Sequence, residues 1–218
     1  MAESLLRIIE ILNEISMKES LSRPIVLVHG LWDTHRVFSK LIESLQLTNA
    51  ITFTPFLPHK LGCISLRSLA KELNLQIIDR LGSEMNIDLV GFSMGGLVSR
   101  IWLQELSGFK RTKKFITVGS PHYGTYAAQF IPSWPLKGIA DMKRNSMILS
   151  SLNSDFDSLK TLNCKSLFCR WDLMVVPGWQ AVMPFGDKYN VPVFTHRDLI
   201  RSSKAINMLT NIILSDQY

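Results

Sequence analysis

The sequence predicts a single-domain α/β protein with a mainly parallel sheet of about six strands. Helices are expected on both faces of the sheet, giving three α/β/α layers. Short apolar runs rich in valine and isoleucine alternate with stretches whose apolar residues recur at helical spacing. The length of 218 residues suits one well-buried domain. No internal repeat or change of composition divides the chain, so residues 1–218 are predicted to form one domain.

Each predicted strand is a short apolar run bounded by glycine, proline or polar residues. These runs occupy 24–30, 51–57, 87–92, 114–120, 165–171 and 191–195. Amphipathic patterns between them predict helices over 36–47, 65–81, 94–106, 147–152 and 198–214. Strands that alternate with helices are connected by right-handed crossovers, which makes the sheet parallel. In such sheets the working residues gather at the carboxyl ends of the strands.

The N-terminal residues 1–20 predict an amphipathic helix that packs on the domain. Their apolar residues fall on one helical face, and acidic residues among them argue against a signal peptide. The three cysteines show no paired spacing, which indicates a reducing compartment. Prolines and glycines interrupt the longest uncharged stretch, 115–136, so no transmembrane segment is expected. We therefore expect a cytoplasmic protein.

The charge balance bears on which partners the protein binds. A net charge of +6 permits transient contact with an anionic membrane surface. No block of lysine and arginine is long enough to indicate a nucleic-acid-binding arm, so no nucleic-acid partner is expected. Hydrophobic residues make up 46% of the chain and charged residues 19%, which is typical of a folded globular protein.

A serine flanked by glycines lies where the third predicted strand meets a helix. The stretch Gly91-Phe92-Ser93-Met94-Gly95 has the G-x-S-x-G spacing. The pattern alone is weak, but a strand before it and a helix after it are the context that a nucleophile elbow requires. The sharp turn would expose the Ser93 hydroxyl, while the glycines leave room for neighbouring backbone. We predict that Ser93 is a nucleophile.

A serine nucleophile needs a base, and in this arrangement the order along the chain is serine, acid, histidine. Only His122 and His196 of the five histidines follow Ser93. For His122 the sole intervening acid is Glu105, inside the helix that leaves the elbow, so His196 is the predicted base. Asp172 directly follows the fifth predicted strand and is the predicted acid, with Asp187 in a Gly-Asp turn as the alternative.

The negative oxygen formed during acyl transfer needs hydrogen-bond donors that are already in place. The predicted donors are the backbone N–H groups of Met94, next to the nucleophile, and of Leu31, in the loop after the first strand. His29 in the same loop is expected to brace the loop rather than take part in catalysis.

Five motifs in this order resemble the α/β-hydrolase superfamily, specifically its compact bacterial lipases and esterases. They are VLVHGLW, VGFSMGG, TVGSPHYGT, DLMVVP and THRDLI, which together cover about residues 24–215. The resemblance implies that the family's nucleophile, acid and base fall on Ser93, Asp172 and His196, and its oxyanion donors on Leu31 and Met94. Phe92 departs from the pattern, because many such lipases have histidine before the serine.

The function predicted on these grounds is hydrolysis of carboxylic esters of small molecules or lipids through an acyl-enzyme, without a metal or other cofactor. Two alternatives stay open: a thioesterase or acyltransferase with the same triad, and a non-catalytic binding module. Residues 121–163 are predicted to form a cap-like insertion over the active site. Its aromatic residues, together with Trp32 of the first loop, are expected to line an apolar pocket for short-to-medium acyl chains; they are Tyr123, Tyr126, Phe130 and Trp134.

Overall fold

A six-stranded parallel sheet forms the centre of the protein. The computed structural model describes residues 23–215, and the helix predicted for residues 1–20 lies outside the described residues. The strands are β1 (Ile25–Val28), β2 (Thr52–Phe53), β3 (Ile87–Phe92), β4 (Thr112–Val118), β5 (Asn163–Phe168) and β6 (Asp187–Asn190). Their order in the sheet is β2-β1-β3-β4-β5-β6, and every neighbouring pair is parallel.

Helices cover both faces of the sheet. The α-helices are α1 (Ser39–Gln46), α2 (Leu66–Leu81), α3 (Met94–Glu105), α4 (Tyr126–Gln129), α5 (Lys137–Asp141), α6 (Met147–Ser154), α7 (Asp157–Lys160) and α8 (Ser203–Leu214). Short 3-10 helices span His35–Phe38, Lys60–Gly62, Gly108–Arg111, Gly178–Ala181 and His196–Ile200. The predicted three-layer α/β/α arrangement is therefore confirmed.

The core is divided by the sheet into two apolar clusters, because side chains alternate between its faces along each strand. In β1, Val26 and Val28 pack on one face against α2, α3 and the helices of the 121–163 segment. Ile25 and Leu27 pack on the other face against α1 and α8. Helices on both faces explain why the central strands are apolar throughout rather than alternating.

The sixth strand differs from the prediction. Residues 191–195 were expected to form it because of their valines, whereas the polar residues Asp187–Asn190 pair with β5. Val191 adds one further backbone hydrogen bond to Phe168, after which the chain leaves the sheet. Val191 and Val193 are buried beneath α8 instead. An edge strand needs little apolar surface, so hydropathy did not reveal it.

The sheet order reverses between β1 and β3, since β2 lies on one side of β1 and the later strands on the other. The crevice at the carboxyl ends of two such strands is where α/β sheets bind ligands. The loop after β1 carries His29 to Asp33, and β3 ends one residue before Ser93. The topology thus brings these two segments together at one edge of the sheet.

Candidate active site

Ser93 occupies a tight turn between β3 and α3. Its backbone has φ 54° and ψ −125°, a left-handed conformation that residues with a side chain rarely adopt. The Ser93 N–H donates to the carbonyl of Val118 at 2.8 Å, which fixes the turn against β4. A Cβ at Gly91 would lie 2.7 Å from the Gly96 nitrogen, and one at Gly95 would lie 2.6 Å from the His29 carbonyl oxygen. The turn therefore requires glycine on both sides of the serine.

His196 and Asp172 are hydrogen bonded to each other. The Nδ1–H of His196 donates to Oδ2 of Asp172 at 2.6 Å, and both side chains are buried. The other carboxylate oxygen of Asp172 accepts the N–H groups of Met174 and Val175 at 2.8 and 3.0 Å. The carboxylate is thus held by three donors and orients the imidazole. Nε2 of His196 has no hydrogen-bond partner among the described residues.

Two further contacts hold the imidazole of His196 in place. The ring of Phe92 stacks on it, with centroids 5.0 Å apart and planes inclined by 30°. Gly119 lies against the edge of the imidazole, so that a Cβ there would come within 2.9 Å of Cε1. Phe92, the departure from the lipase pattern, therefore packs against the predicted base. The sequence offered no signal for this contact, which depends on how β3 faces the His196 turn.

The alternative acid, Asp187, does not contact His196. It is exposed on the edge strand β6, where its carboxylate accepts from Nζ of Lys165 at 3.0 Å. This hydrogen bond to Lys165 lowers the pKa of Asp187. Asp172 is the acid that contacts His196 among the described residues, and Asp187 forms a surface ion pair instead.

The predicted oxyanion donors lie next to the serine. Leu31 and Ser93 line the same cavity, and Met94 is the first residue of α3. The N–H groups of Leu31 and Met94 have no acceptor in the part of the chain that the structure describes. The N–H of Met94 also lies at the positive end of the α3 dipole. Both groups are therefore available to a bound oxygen.

His29 braces the loop that carries Leu31. Its Nε2 accepts the N–H of Leu57 at 3.1 Å, which leaves Nδ1 protonated to donate to the Gly30 carbonyl at 3.0 Å. Burial lowers the pKa of His29 and favours this neutral form. The geometry agrees with the bracing role that the sequence predicted for this histidine.

A cavity of about 540 Å³ opens over Ser93 and His196. Trp32 lines it, as predicted. Ile131 of the predicted cap-like insertion and Leu31 of the first loop also line it. Further apolar lining residues are ones whose role the sequence did not reveal: Ala127, Ala128, Ile139, Met142, Leu173, Met174, Val175 and Phe194. The wall is apolar over most of its area, so it suits an acyl chain.

The other four aromatic residues predicted for this pocket do not line it, and their assignment is corrected. In α4 and the two residues after it, Ala127, Ala128 and Ile131 line the cavity, whereas Tyr126 and Phe130, four positions apart, lie on another side. Phe130 is 89% exposed and Trp134 82% exposed. Tyr123 borders a different cleft. The helical spacing of residues 126–131 groups them into faces, but it does not show which face points toward the cavity.

One polar feature stands at the rim of this apolar cavity. Asp33 of the loop after β1 and Arg197, next to His196, both line it and approach within 3.6 Å. The pair joins the loop of one predicted oxyanion donor to the turn that carries the predicted base. No cluster of metal-binding side chains occurs within residues 23–215.

Solved structures with the same fold include lipases from a fungus and a bacterium. Aspergillus fumigatus lipase B matches with a TM-score of 0.72 and 16% identity, over 88% of this chain and 52% of that one. The mature lipase BlEst2 of Bacillus licheniformis matches with a TM-score of 0.70 and 15% identity, over 88% and 92% of the two chains. These similarities show the α/β-hydrolase fold.

Sequence comparison identifies the family. The lysosomal thioesterase PPT2 of Mus musculus is 27% identical over 118 residues, which are 51% of this chain and 38% of the mouse protein. The chain thus matches well under half the length of that relative. The family described as palmitoyl protein thioesterase matches residues 24–162, more than half of the chain. This chain belongs to the palmitoyl protein thioesterase family and has the α/β-hydrolase fold.

Proposed function

We propose that the protein is a serine hydrolase that cleaves acyl thioesters through Ser93, His196 and Asp172. The observation that carries the proposal is the 2.6 Å hydrogen bond between His196 and Asp172. Nε2 of His196 is buried and has no hydrogen-bond partner among the described residues, and His196 lines the same cavity as Ser93. An oriented imidazole with a free nitrogen beside a serine is what nucleophilic catalysis requires.

In the proposed reaction, Oγ of Ser93 attacks the acyl carbonyl carbon while Nε2 of His196 accepts its proton. The N–H groups of Leu31 and Met94 bind the negative oxygen of the tetrahedral intermediate. Collapse of the intermediate breaks the bond to the leaving group, which takes the proton from His196. Water then attacks the acyl-enzyme with His196 again as the base, which releases the acid and frees Ser93. Asp172 stays ionised and stabilises the charged imidazole.

The preferred bond is inferred from the family. Its description and the mouse relative's printed name both refer to thioesterases, which favours a thiol leaving group. Ester hydrolysis is the second candidate, supported by the lipases among the structural neighbours and by a mechanism that accepts either leaving group. A non-catalytic binding role is disfavoured by the intact set of three predicted catalytic side chains.

A matched pair of substrates tests the bond preference. S-octanoyl mercaptoethanol and O-octanoyl ethylene glycol differ only in the atom that leaves the acyl group. We expect kcat/KM to be higher for the thioester, and Ser93→Ala to abolish turnover of both. Faster turnover of the oxygen ester would identify the enzyme as an esterase. A folded protein that turned over neither substrate, and whose Ser93 resisted a fluorophosphonate probe, would contradict the hydrolase proposal.

The apolar cavity supports the choice of short-to-medium acyl chains. Each methylene buried there contributes up to about 0.8 kcal/mol, so kcat/KM is expected to rise over the first few carbons and then level off. A chain-length series measured below and above micelle formation checks this. Optimal activity with long chains, arising only at the micellar threshold, would indicate a lidded lipase instead.

We further propose that the protein acts in the cytoplasm on small-molecule or lipid substrates. Cys63, Cys164 and Cys169 are all unpaired thiols, which suits a reducing compartment. Within residues 23–215 no helix is both long and apolar enough to cross a bilayer. Transient contact with an anionic membrane surface agrees with the net charge of +6. Fractionation of cells that express the protein tests its location.

A further inference from the structure

A second cleft, of about 490 Å³, lies beside the candidate active site and shares no lining residue with it. Residues 144–153 supply most of its lining, and the two other segments that bound it, those of Tyr123 and Trp179, also border the active-site cavity. Thr125 fastens these segments together, because its Oγ–H donates to the Met174 carbonyl at 2.8 Å and its Oγ accepts the Val176 N–H at 3.1 Å. Tyr123 precedes this tie and Trp179 follows it, and both line the second cleft.

Arg144 gives the cleft a positive charge that no described carboxylate neutralises. Its guanidinium lies over the ring of Tyr126, with Cζ 4.4 Å from the ring centroid. None of the ion pairs formed by residues 23–215 includes Arg144. A guanidinium placed over an aromatic ring can still donate from its N–H groups, which match the oxygens of a carboxylate or phosphate.

Trp179 supplies an aromatic surface for the same cleft. Its side chain is 63% exposed although it is a large apolar group, and it lies in the 3-10 helix Gly178–Ala181. Exposed aromatic rings bind the flat faces of bases and sugars, for which they provide stacking area without sequence-specific contacts. Among the described residues its indole forms no hydrogen bond.

The remaining polar groups of the cleft have unused hydrogen-bonding capacity. The side chains of Asn145, Ser150 and Gln180 line the cleft and form no hydrogen bond with any described residue. Asn153, in the same wall, contrasts with them, since its amide is occupied by Arg100 and by the His122 carbonyl. The wall thus combines one fixed amide with three polar side chains free to contact a ligand.

We propose that this cleft is a second ligand site that takes a small ring-bearing anion. The anionic group would pair with Arg144, the ring would pack on Trp179, and the amides of Asn145 and Gln180 would bind the polar edge of the ring. A nucleotide and an acidic sugar share this chemistry. The proposal is independent of the proposed hydrolase activity, because none of these residues lines the catalytic cavity.

Titration calorimetry on the full chain tests the site with four probes: adenosine monophosphate, glucuronate, inorganic phosphate and uncharged ribose. We expect saturable one-to-one binding of adenosine monophosphate or glucuronate, and whichever of the two binds identifies the ring. Phosphate and ribose alone are expected to bind at least roughly tenfold more weakly, since phosphate supplies only the anionic group and ribose only an uncharged sugar ring. Arg144→Gln and Trp179→Ala should each weaken binding by roughly tenfold or more.

Arg170→Gln is the matched control. Arg170 is an exposed arginine that also lies over an aromatic ring, 5.8 Å from the centroid of Trp171, but it is not part of the cleft. We expect the Arg170→Gln variant to bind the ring-bearing anions as tightly as the wild type. Thermal unfolding checks that each variant is folded. Failure of both ring-bearing anions to bind at millimolar concentration would overturn the proposal. So would binding that survives both cleft variants, or phosphate binding as tight as that of the ring-bearing anions.

Discussion

The turn at Ser93 and the apolar wall of the cavity are shaped by different physical constraints. At the turn, backbone meets backbone: a Cβ at Gly91 or Gly95 would collide with main-chain atoms of α3 or β1. In the wall, the shape of the cavity depends on which side chains of the short helix α4 point inward. Ala127 and Ala128 face the cavity, and Phe130 faces solvent. The turn therefore tolerates almost no substitution, whereas the wall can be reshaped by single side chains.

Removal of the Ser93 hydroxyl should produce the largest effect. Ser93→Ala is expected to reduce kcat by about 10⁶-fold, because the groups of a triad act as a unit. One oxygen is lost and the backbone is unchanged, so thermal unfolding should occur at nearly the wild-type temperature. Steady-state turnover of the octanoyl thioester measures the loss. Substantial residual turnover by a folded Ser93→Ala protein would mean that another group is the nucleophile.

Substitution of the proposed acid, Asp172, should lower kcat nearly as much. Asp172→Asn is expected to lower kcat by roughly 10⁴-fold, because an amide favours the wrong tautomer of His196. Asp187→Asn is the matched control, since it makes the same change in a surface ion pair with Lys165. It should retain near-normal turnover. The reverse pattern in the two variants would transfer the role of acid to Asp187.

Substitution in the wall should change substrate choice rather than catalysis. Ala127→Phe adds volume to the cavity side of α4, and kcat/KM for acyl chains too long for the shortened cavity should fall. Each excluded methylene costs up to about 0.8 kcal/mol, or roughly fourfold. Phe130→Ala alters the exposed face of the same helix and should leave the chain-length profile unchanged. Equal effects of the two variants would show that the cavity wall lies elsewhere.

His122 lies between β4 and α6, and its effect is expected on stability rather than on turnover. It follows β4, and its carbonyl accepts the Nδ2–H of Asn153 from α6 at 3.0 Å. Burial, with a contribution from Arg100, lowers the pKa of His122 well below its usual value. The unfolded chain binds a proton below about pH 6.5 while the folded one does not, so stability falls as pH falls.

Urea denaturation between pH 7 and 5 measures this dependence. The free energy of unfolding should decrease by up to about 1.4 kcal/mol per pH unit for this histidine alone. His122→Asn should lose that part of the slope, although its stability at pH 7 is lower. Some dependence should persist, because burial lowers the pKa of His29 in the same direction. An unchanged slope in the variant would show that His122 titrates normally.

Features set by backbone constraints could be predicted from the sequence, whereas features set by strand pairing and side-chain packing could not. Strands buried on both faces are continuous apolar runs, and a turn without room for Cβ atoms needs glycine, so β1, β3 and the turn at Ser93 were predictable. The polar edge strand β6 and the inward face of α4 were not. The position of β6 depends on pairing with β5, and the orientation of α4 depends on packing that no short stretch of sequence encodes.

The partners of His196 show an intermediate case. Asp172 could be inferred because it directly follows the fifth predicted strand, although β5 itself ends at Phe168, and because chain order left few alternatives. The stacking of Phe92 on the imidazole could not, since these residues are far apart in sequence and meet only through the sheet. Long-range contacts of this kind need the register of the strands before they can be inferred.

The backbone conformation of Ser93 has a consequence for how this protein responds to selection. A residue with a side chain at φ 54° and ψ −125° is held in a conformation that glycine adopts far more readily. Ser93→Gly would therefore relieve strain while removing the proposed nucleophile. Libraries screened for heat resistance alone would accumulate inactive proteins altered at this position, so every round of thermostability engineering needs a parallel selection for turnover.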